Sequence, residues 1–258
     1  MDIVEASARS LRRHPWELAR FEIVAAQIRR HLPRNRPSLL FDIGCGDCYF
    51  AARLLAGEPS LTVVGVEPAF TSEEIRDKEA TIGSDRFHLF STLDEALAFT
   101  GNRAVDGVLM LDVIEHIEDD RAFLKDLAAR PALSHAILFI AAPAFGKLYT
   151  SHDRFLRHFR RYSRKALLAS VAAGGFEAIE SGYFFASLLP IRLAQKAGEL
   201  MGRSMRPQGI GSWRQTAFVT NSIKGALLLD HLLGRLLRKA GLHLPGLSTY
   251  CLCKPRVS

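Results

Sequence analysis

Short apolar runs that alternate with helix-compatible stretches constrain this chain more than any other feature. LLFDIG (39–44), LTVVGVE (61–67), FHLF (87–90), VDGVLMLD (105–112) and HAILFIAAP (135–143) each have the length of a strand. The stretches at roughly 48–57, 72–80, 92–99 and 119–130 suit helices. Runs that are continuously apolar, rather than alternating, belong to strands buried on both faces, and the intervening helices supply the crossovers. FEAIESGYFF (176–185) and STYCLCKP (248–255) add two more strands. The expected fold is therefore α/β: a doubly wound, Rossmann-like, seven-stranded and mostly parallel sheet, with one antiparallel strand near the C-terminus.

The rest of the chain fits around that sheet. A helix is expected over 10–32, where Leu18, Phe21, Ile23, Val24 and Ile28 recur at three- and four-residue spacings and Pro33 and Pro37 follow. Another starts behind Ser163 and stops at Gly174 and Gly175. Apolar-rich helical stretches at 187–201 and about 217–240 flank a Gly/Pro/Arg-rich link, MGRSMRPQGIGS. They form a helical insertion, about 187–245, before the last strand. The whole of 1–258 reads as a single domain with this insertion.

Composition excludes several classes. With 48% hydrophobic and 24% charged residues, the chain can build a core and is not globally disordered. No apolar run approaches the roughly 18 residues of a membrane span, and the N-terminus lacks a secretory pattern. A cytoplasmic location is expected. The net charge of +7 admits nucleic acid, an anionic membrane or an acidic substrate without choosing among them. Cys45, Cys48, Cys251 and Cys253 offer C-x-x-C and C-x-C spacings. The first pair lies inside a glycine loop and the second alternates along a strand, so buried thiols are expected and no metal site.

FDIGCGD (41–47) carries the chemistry. A glycine turn between a buried strand and a helix lets backbone approach a ligand, and the free N–H groups behind it suit an anionic part. In VVGVEP, Glu67 closes the next strand, where a carboxylate can accept both hydroxyls of a ribose. A dinucleotide fingerprint would place glycine at Tyr49, a position that must let helix and strand pack closely. The spacing therefore favours a nucleoside ligand over a dinucleotide.

FDIGCGDCYF, VVGVEP and VLMLDVIEH together resemble the class I S-adenosylmethionine-dependent methyltransferases, and within them the subgroup with a DxGCGxG loop and a D-V-x-E-H segment. HPWELARFEI and HDRFLRHFRRYSRKAL extend the resemblance, which covers about residues 10–185 and the terminal strand. It implies S-adenosylmethionine as cofactor. Asp42, Gly44, Cys45 and Gly46 would hold its methionine end, Glu67 its ribose, and Pro68 would lie beside the adenine, with Asp112 and Val113 lining the site. The chain departs from the pattern at Cys48, where the subgroup has its third glycine; a side chain there would narrow the loop.

Methyl transfer from a sulfonium needs positioning above all, and a general base if the acceptor is a hydroxyl. His152 and His116 are the candidates. The segment 152–165 interleaves arginines with aromatics. It is either a solvated basic face or an anion-binding wall, with His158, Arg161 and Tyr162 as acceptor ligands and Tyr149 shaping the wall. LDVIEH lacks the Asn/Asp-Pro-Pro-aromatic signature of base-amino methyltransferases, so nucleic acid is disfavoured. A small or lipid-linked anionic acceptor is expected instead. The apolar and basic sides of 187–240 allow peripheral membrane contact. The competing readings are a non-catalytic cofactor-fold binding protein and a basic nucleic-acid binder.

Overall fold

The computed structural model of the protein describes residues 13–101, 103–201 and 213–256. Residues 10–12 of the expected first helix and most of the Gly/Pro/Arg-rich link lie outside the described residues.

Helix α1 (Pro15–Arg29) starts where the sequence offers a proline at the first helical position. His14 caps it: its Nδ1 accepts the Trp16 N–H at 3.2 Å, and the Glu17 carboxylate accepts the His14 N–H at 3.3 Å. Five strand–helix units follow. They are β1 (Ser38–Ile43), α2 (Tyr49–Gly57), β2 (Leu61–Val66), α3 (Ser72–Ile82), β3 (Phe87–Phe90), α4 (Leu93–Thr100), β4 (Gly107–Leu111), α5 (Asp120–Ala129) and β5 (Ile137–Pro143), which leads into α6 (Ser151–Phe155) and α7 (Arg164–Ala173). Then come β6 (Phe176–Phe184), α8 (Leu189–Leu200), α9 (Ala217–Lys239) and β7 (Ser248–Pro255).

Among the described residues, seven strands form one sheet in the order β3-β2-β1-β4-β5-β7-β6. β1 to β5 run parallel, and β7 runs antiparallel to both β5 and β6. The expected seven-stranded, mostly parallel α/β sheet is thus observed, with its antiparallel strand at the end of the chain. The central strands bury both faces, as their uninterrupted apolar runs require. One core lies under α1 and α2 and includes Val24, Ile28, Leu54 and Phe139; the other lies under α5 and α7 and includes Phe41, Met110, Leu127 and Val171.

Two features position the site. β1 pairs with both β2 and β4, so chain order reverses between β1 and β4, and the loops that leave these two strands sit side by side. Ligands in open α/β sheets bind at such a switch point. The second feature is α9, which stands between β6 and β7 in sequence and packs on α1 and β6. Glu180 on β6 ties these pieces together. Its carboxylate accepts from Gln27 at 2.9 Å, Arg238 at 2.7 Å and the Tyr250 hydroxyl at 2.9 Å. His231 packs beside Phe184 and Tyr250, and burial, aided by the charges of Arg235 and Arg238, lowers its pKa to about 4, so it is neutral at pH 7.

The opposite side of α9 is uncovered. Phe218 is 81% and Leu229 66% exposed, and Leu232, Leu233 and Leu236 continue the stripe at helical spacing; Ile191 and Leu193 of α8 are exposed as well. Among the described residues, no helix is long and apolar enough to cross a membrane.

Candidate functional site

The glycine loop is built as its sequence demands. Gly44 has φ +68° and Gly46 +55°. A Cβ on Gly44 would fall 2.5 Å from Val113 Cγ2, so the loop and the segment after β4 touch only because Gly44 has no side chain. The Gly44 N–H donates to the Val66 carbonyl at 2.8 Å and the Gly46 N–H to Glu67 Oε2 at 2.9 Å. Glu67 thus reaches across from the end of β2 and clasps the loop. Its other oxygen accepts from the Ala69 N–H at 3.3 Å, and Pro68 between them is exposed.

Cys48 also adopts a left-handed conformation, φ +63°, at the position before α2. The subgroup's third glycine marks that backbone shape. The side chain does not narrow the loop as expected: it is 1% exposed and packs in the core, with its Sγ 3.8 Å from Cys45 Sγ. All four cysteines are free and buried, and among the described residues they join no metal-ligand cluster.

Asp42 lies behind this loop. It is buried, its Oδ2 has no hydrogen-bond partner, and burial raises its carboxyl to about 7. A narrow groove of about 20 Å³ borders Asp42, Gly44, Cys45 and Leu111 on the sheet side and Glu17 and Arg20 on the α1 side. Ion pairs from Arg13 to Asp47 and from Arg20 to Asp112 tie α1 over the groove. An unsatisfied buried carboxylate, a cradle that a Cβ would fill and a second carboxylate at the strand end fit the amino acid and ribose parts of S-adenosylmethionine.

The segment after β4 holds a second set of groups. Asp112 has φ +58°, a backbone shape that asparagine and aspartate tolerate better than most residues. Burial works against its charge, but the Arg20 guanidinium keeps its carboxyl below the usual range. Glu115 is fully buried, and neither carboxylate oxygen has a hydrogen-bond partner. Burial first, and then the Asp112 charge, push its carboxyl well above the usual range. The His116 ring meets the His158 ring edge to face, centroids 4.6 Å apart.

The basic segment after β5 divides: Arg154, Arg157 and Lys165 lie on the solvated face, while His158 and Arg161 turn inward. Asp153 is fully buried and accepts from the Thr150 N–H at 2.8 Å, Arg161 Nε at 2.7 Å and Arg192 Nη2 at 3.2 Å, with His158 Nδ1 3.0 Å away. Burial opposes its charge, yet these donors hold its carboxyl well below the ordinary range. Arg161, only 5% exposed, also donates to the Ala144 carbonyl at 3.2 Å. One carboxylate therefore faces two guanidiniums. Arg192 Nε is buried without a partner, and so is Trp16 Nε1.

These groups surround a cavity of about 420 Å³ at the carboxyl ends of β4 and β5. Trp16 and Arg20 of α1, Asp112, Glu115 and His116 after β4, His152, His158 and Arg161 after β5, and Arg192 of α8 all line it. Arg20 lines the narrow groove too, so the two spaces share a wall. Of the residues singled out in the sequence, His116, His152, His158 and Arg161 meet here. Asp112 lines this cavity rather than the groove beside the glycine loop, and Val113 packs against Gly44.

Tyr162 does not meet them. It is buried in the second core, and its hydroxyl donates to Asp120 Oδ2 at 2.7 Å. The backbone beside it forms a bridge to Ala144, which aims the ring under the sheet. Tyr149 does not line the cavity; its hydroxyl donates to the His158 carbonyl at 2.7 Å. Arg192, Trp16, Arg20 and Glu115 were not foreseen as acceptor-side groups. Arg192 stands with Lys196 in a stretch read as apolar insertion. Trp16 and Arg20 stand more than 100 residues away from the basic segment that they face.

Residues 41–132 match the family model of a methyltransferase domain. No curated protein matches the chain in sequence. Solved structures share the fold. A protein assigned as a sarcosine dimethylglycine methyltransferase from Galdieria sulphuraria superposes with a TM-score of 0.53 at 12% identity, covering 92% of this chain and 84% of that one. The [4+2]-cyclase SpnF superposes at 0.52 and 17% identity, covering 92% and 82%. At these identities the structures speak for the fold alone, and the cyclase shows that the fold does not fix the reaction. The match to a methyltransferase domain over 41–132 supports an S-adenosylmethionine-dependent methyltransferase, with S-adenosylmethionine as its cofactor.

Proposed function

We propose that this methyltransferase modifies an anionic acceptor, small or lipid-linked, held in the 420 Å³ cavity next to the donor groove. The observation that carries the reading is a pair of buried, unpartnered donors on that cavity, Trp16 Nε1 and Arg192 Nε. Buried N–H groups are rarely left without an acceptor, because each costs about 1–3 kcal/mol unpaired. A carboxylate or phosphate oxygen would satisfy both. The excess of guanidinium over carboxylate around Asp153 favours the same charge.

On the donor side, Asp42, Gly44, Cys45 and Gly46 would hold the methionine part, Glu67 the ribose, and Pro68 would border the adenine. Asp112 and Val113 form the floor where donor and acceptor meet. The bound cofactor supplies a methyl group already activated on a sulfonium. The chain's part is to align the acceptor atom, keep water out and, for a hydroxyl acceptor, accept its proton. His152 and His116 both border the cavity and are placed for that last task. Release of the ion pairs made by Arg13 and Arg20 would let α1 rise and admit the donor.

The uncovered stripe on α9, with Lys224 and Arg235 on the same helix, suits peripheral contact with an anionic lipid surface. That contact would present a lipid-linked acceptor to the cavity. The test is a radiolabelled methyl-transfer screen with paired acceptors, each carboxylate or phosphate set against its neutral ester, with and without an alkyl tail. The reading expects transfer to the charged member of a pair. Transfer only to neutral or nucleic-acid acceptors would refute it.

A further inference from the structure

We infer that Glu115, His116 and His158 form a binding site for one divalent transition-metal ion on the inner wall of the cavity, and that the ion takes an oxygen of the acceptor as a further ligand. The three residues each offer a ligand atom, and these atoms all lie within 4.8 Å of one another. Three donors at that separation can close on one ion at the usual bond lengths of about 2.0–2.2 Å after small side-chain rotations.

The state of Glu115 is the independent sign. Glu115 is a fully buried carboxyl group with neither oxygen hydrogen-bonded, which is unfavourable for its charged form unless a counter-ion joins it. Such a group takes up either a proton or a cation. Two imidazoles flank the carboxylate, and each can turn a nitrogen lone pair toward a cation shared with it.

The support behind the site has the same character. Asp153 engages His158 Nδ1 at 3.0 Å, which leaves Nε2 as the coordinating nitrogen. A carboxylate behind the far nitrogen fixes the tautomer and the ring direction of a metal-binding histidine. Asp153 is itself held by Thr150, Arg161 and Arg192, so the ring cannot turn freely. With Glu115 ionised, the charges of Asp112, Glu115 and Asp153 balance those of Arg20, Arg161 and Arg192. A dication then makes the site positive, as an anionic acceptor requires. Two nitrogen ligands and one oxygen ligand favour zinc, cobalt or nickel over magnesium, calcium or manganese, which suit oxygen ligands. The fourth position would face the cavity, and with His116 on the ion His152 is left as the base for a hydroxyl acceptor.

The metal site stands on its own geometry, while its use by an acceptor rests on the cavity being the acceptor site. The experiment separates the two. Cobalt(II) chloride is titrated into the untagged full-length chain, without donor or acceptor, and visible d–d absorption is read, with zinc(II) as competitor. One cobalt per chain is expected, displaced by zinc. Glu115→Gln and His116→Ala should each weaken it by more than about a hundredfold, beyond what loss of a supporting residue costs. If either variant fails to fold, imidazole proton shifts of the unaltered chain decide: cobalt must move His116 and His158. No cobalt bands at millimolar metal, unchanged binding in both folded variants, or shifts at other histidines would overturn the proposal and leave Glu115 with a proton. Cobalt binding without transfer to any anionic acceptor would spare the metal site and sink the acceptor reading.

Discussion

The proposed donor side and the proposed acceptor side of this molecule touch, yet they are made differently. The groove beneath α1 is organised around one short glycine loop: Gly44 and Cys45 line it, and Glu67 clasps the loop at Gly46 from the neighbouring strand. The cavity beside it is made of side chains gathered from α1, the loops after β4 and β5, and α8. A site organised by a loop tolerates many side chains but few changes of conformation. A side-chain site is the reverse, since its chemistry changes with single residues. One fold can thus keep a donor and vary its acceptor.

The largest effect that would break this contrast concerns Asp153. It is fully buried and pairs with two arginines and a histidine. Asp153→Asn would leave buried cations uncompensated and should cost about 3–5 kcal/mol in urea unfolding. Its carboxyl lies below the ordinary value in the folded chain, so its stabilisation is present above the unfolded pKa of about 4 and disappears as pH falls below it. The unaltered chain should lose stability steeply below pH ~4, and Asp153→Asn should lose less over that range. Equal acid slopes would show that the acceptor side is not held together by this carboxylate.

Glu67→Ala comes next. It removes a carboxylate that would bond ribose hydroxyls, a contact worth about 1.5–3 kcal/mol, so the donor dissociation constant should rise about tenfold or more by calorimetry. Unchanged affinity would remove Glu67 from the donor site. Arg192→Ala should raise the acceptor KM by about tenfold, the effect of one charged hydrogen bond, and leave donor affinity alone. The smallest effect is expected at Cys48. Replacement by glycine relieves a left-handed conformation worth about 1–2 kcal/mol but empties a buried position worth a similar amount. Stability should shift by no more than about 1 kcal/mol. Because the thiol faces the core, donor affinity should change by less than about threefold; a larger gain would show that it obstructs the loop after all.

The contrast also explains what could be read from the sequence. The seven-stranded sheet was legible because each central strand is a continuous apolar run bounded by helix signals. The donor loop was legible because its parts are adjacent in sequence or set by strand spacing. Gly44 stands at the end of β1, and Glu67 at the end of β2, its sheet neighbour. The acceptor side was legible only in part. The segment 152–161 announces cations, and His152, His158 and Arg161 do reach the cavity. Tyr162 looks the same in sequence, but the bridge to Ala144 sends it into the core. Arg192 and Trp16 carry no local signal, because their place depends on how α8 and α1 pack over the loops. Glu115 stood beside His116 in the same motif, and only its burial marks it as unusual.

Two-substrate kinetics on Glu67→Ala and Arg192→Ala, run side by side with the unaltered chain, tests the central claim most directly. With an acceptor identified by the methyl-transfer screen, Glu67→Ala should raise the KM of S-adenosylmethionine and leave that of the acceptor within about twofold. Arg192→Ala should do the opposite. If both substitutions raise the same KM, or Arg192→Ala weakens the donor while acceptor handling stays normal, the division of the site into a loop-organised donor groove and a side-chain-built acceptor cavity is wrong.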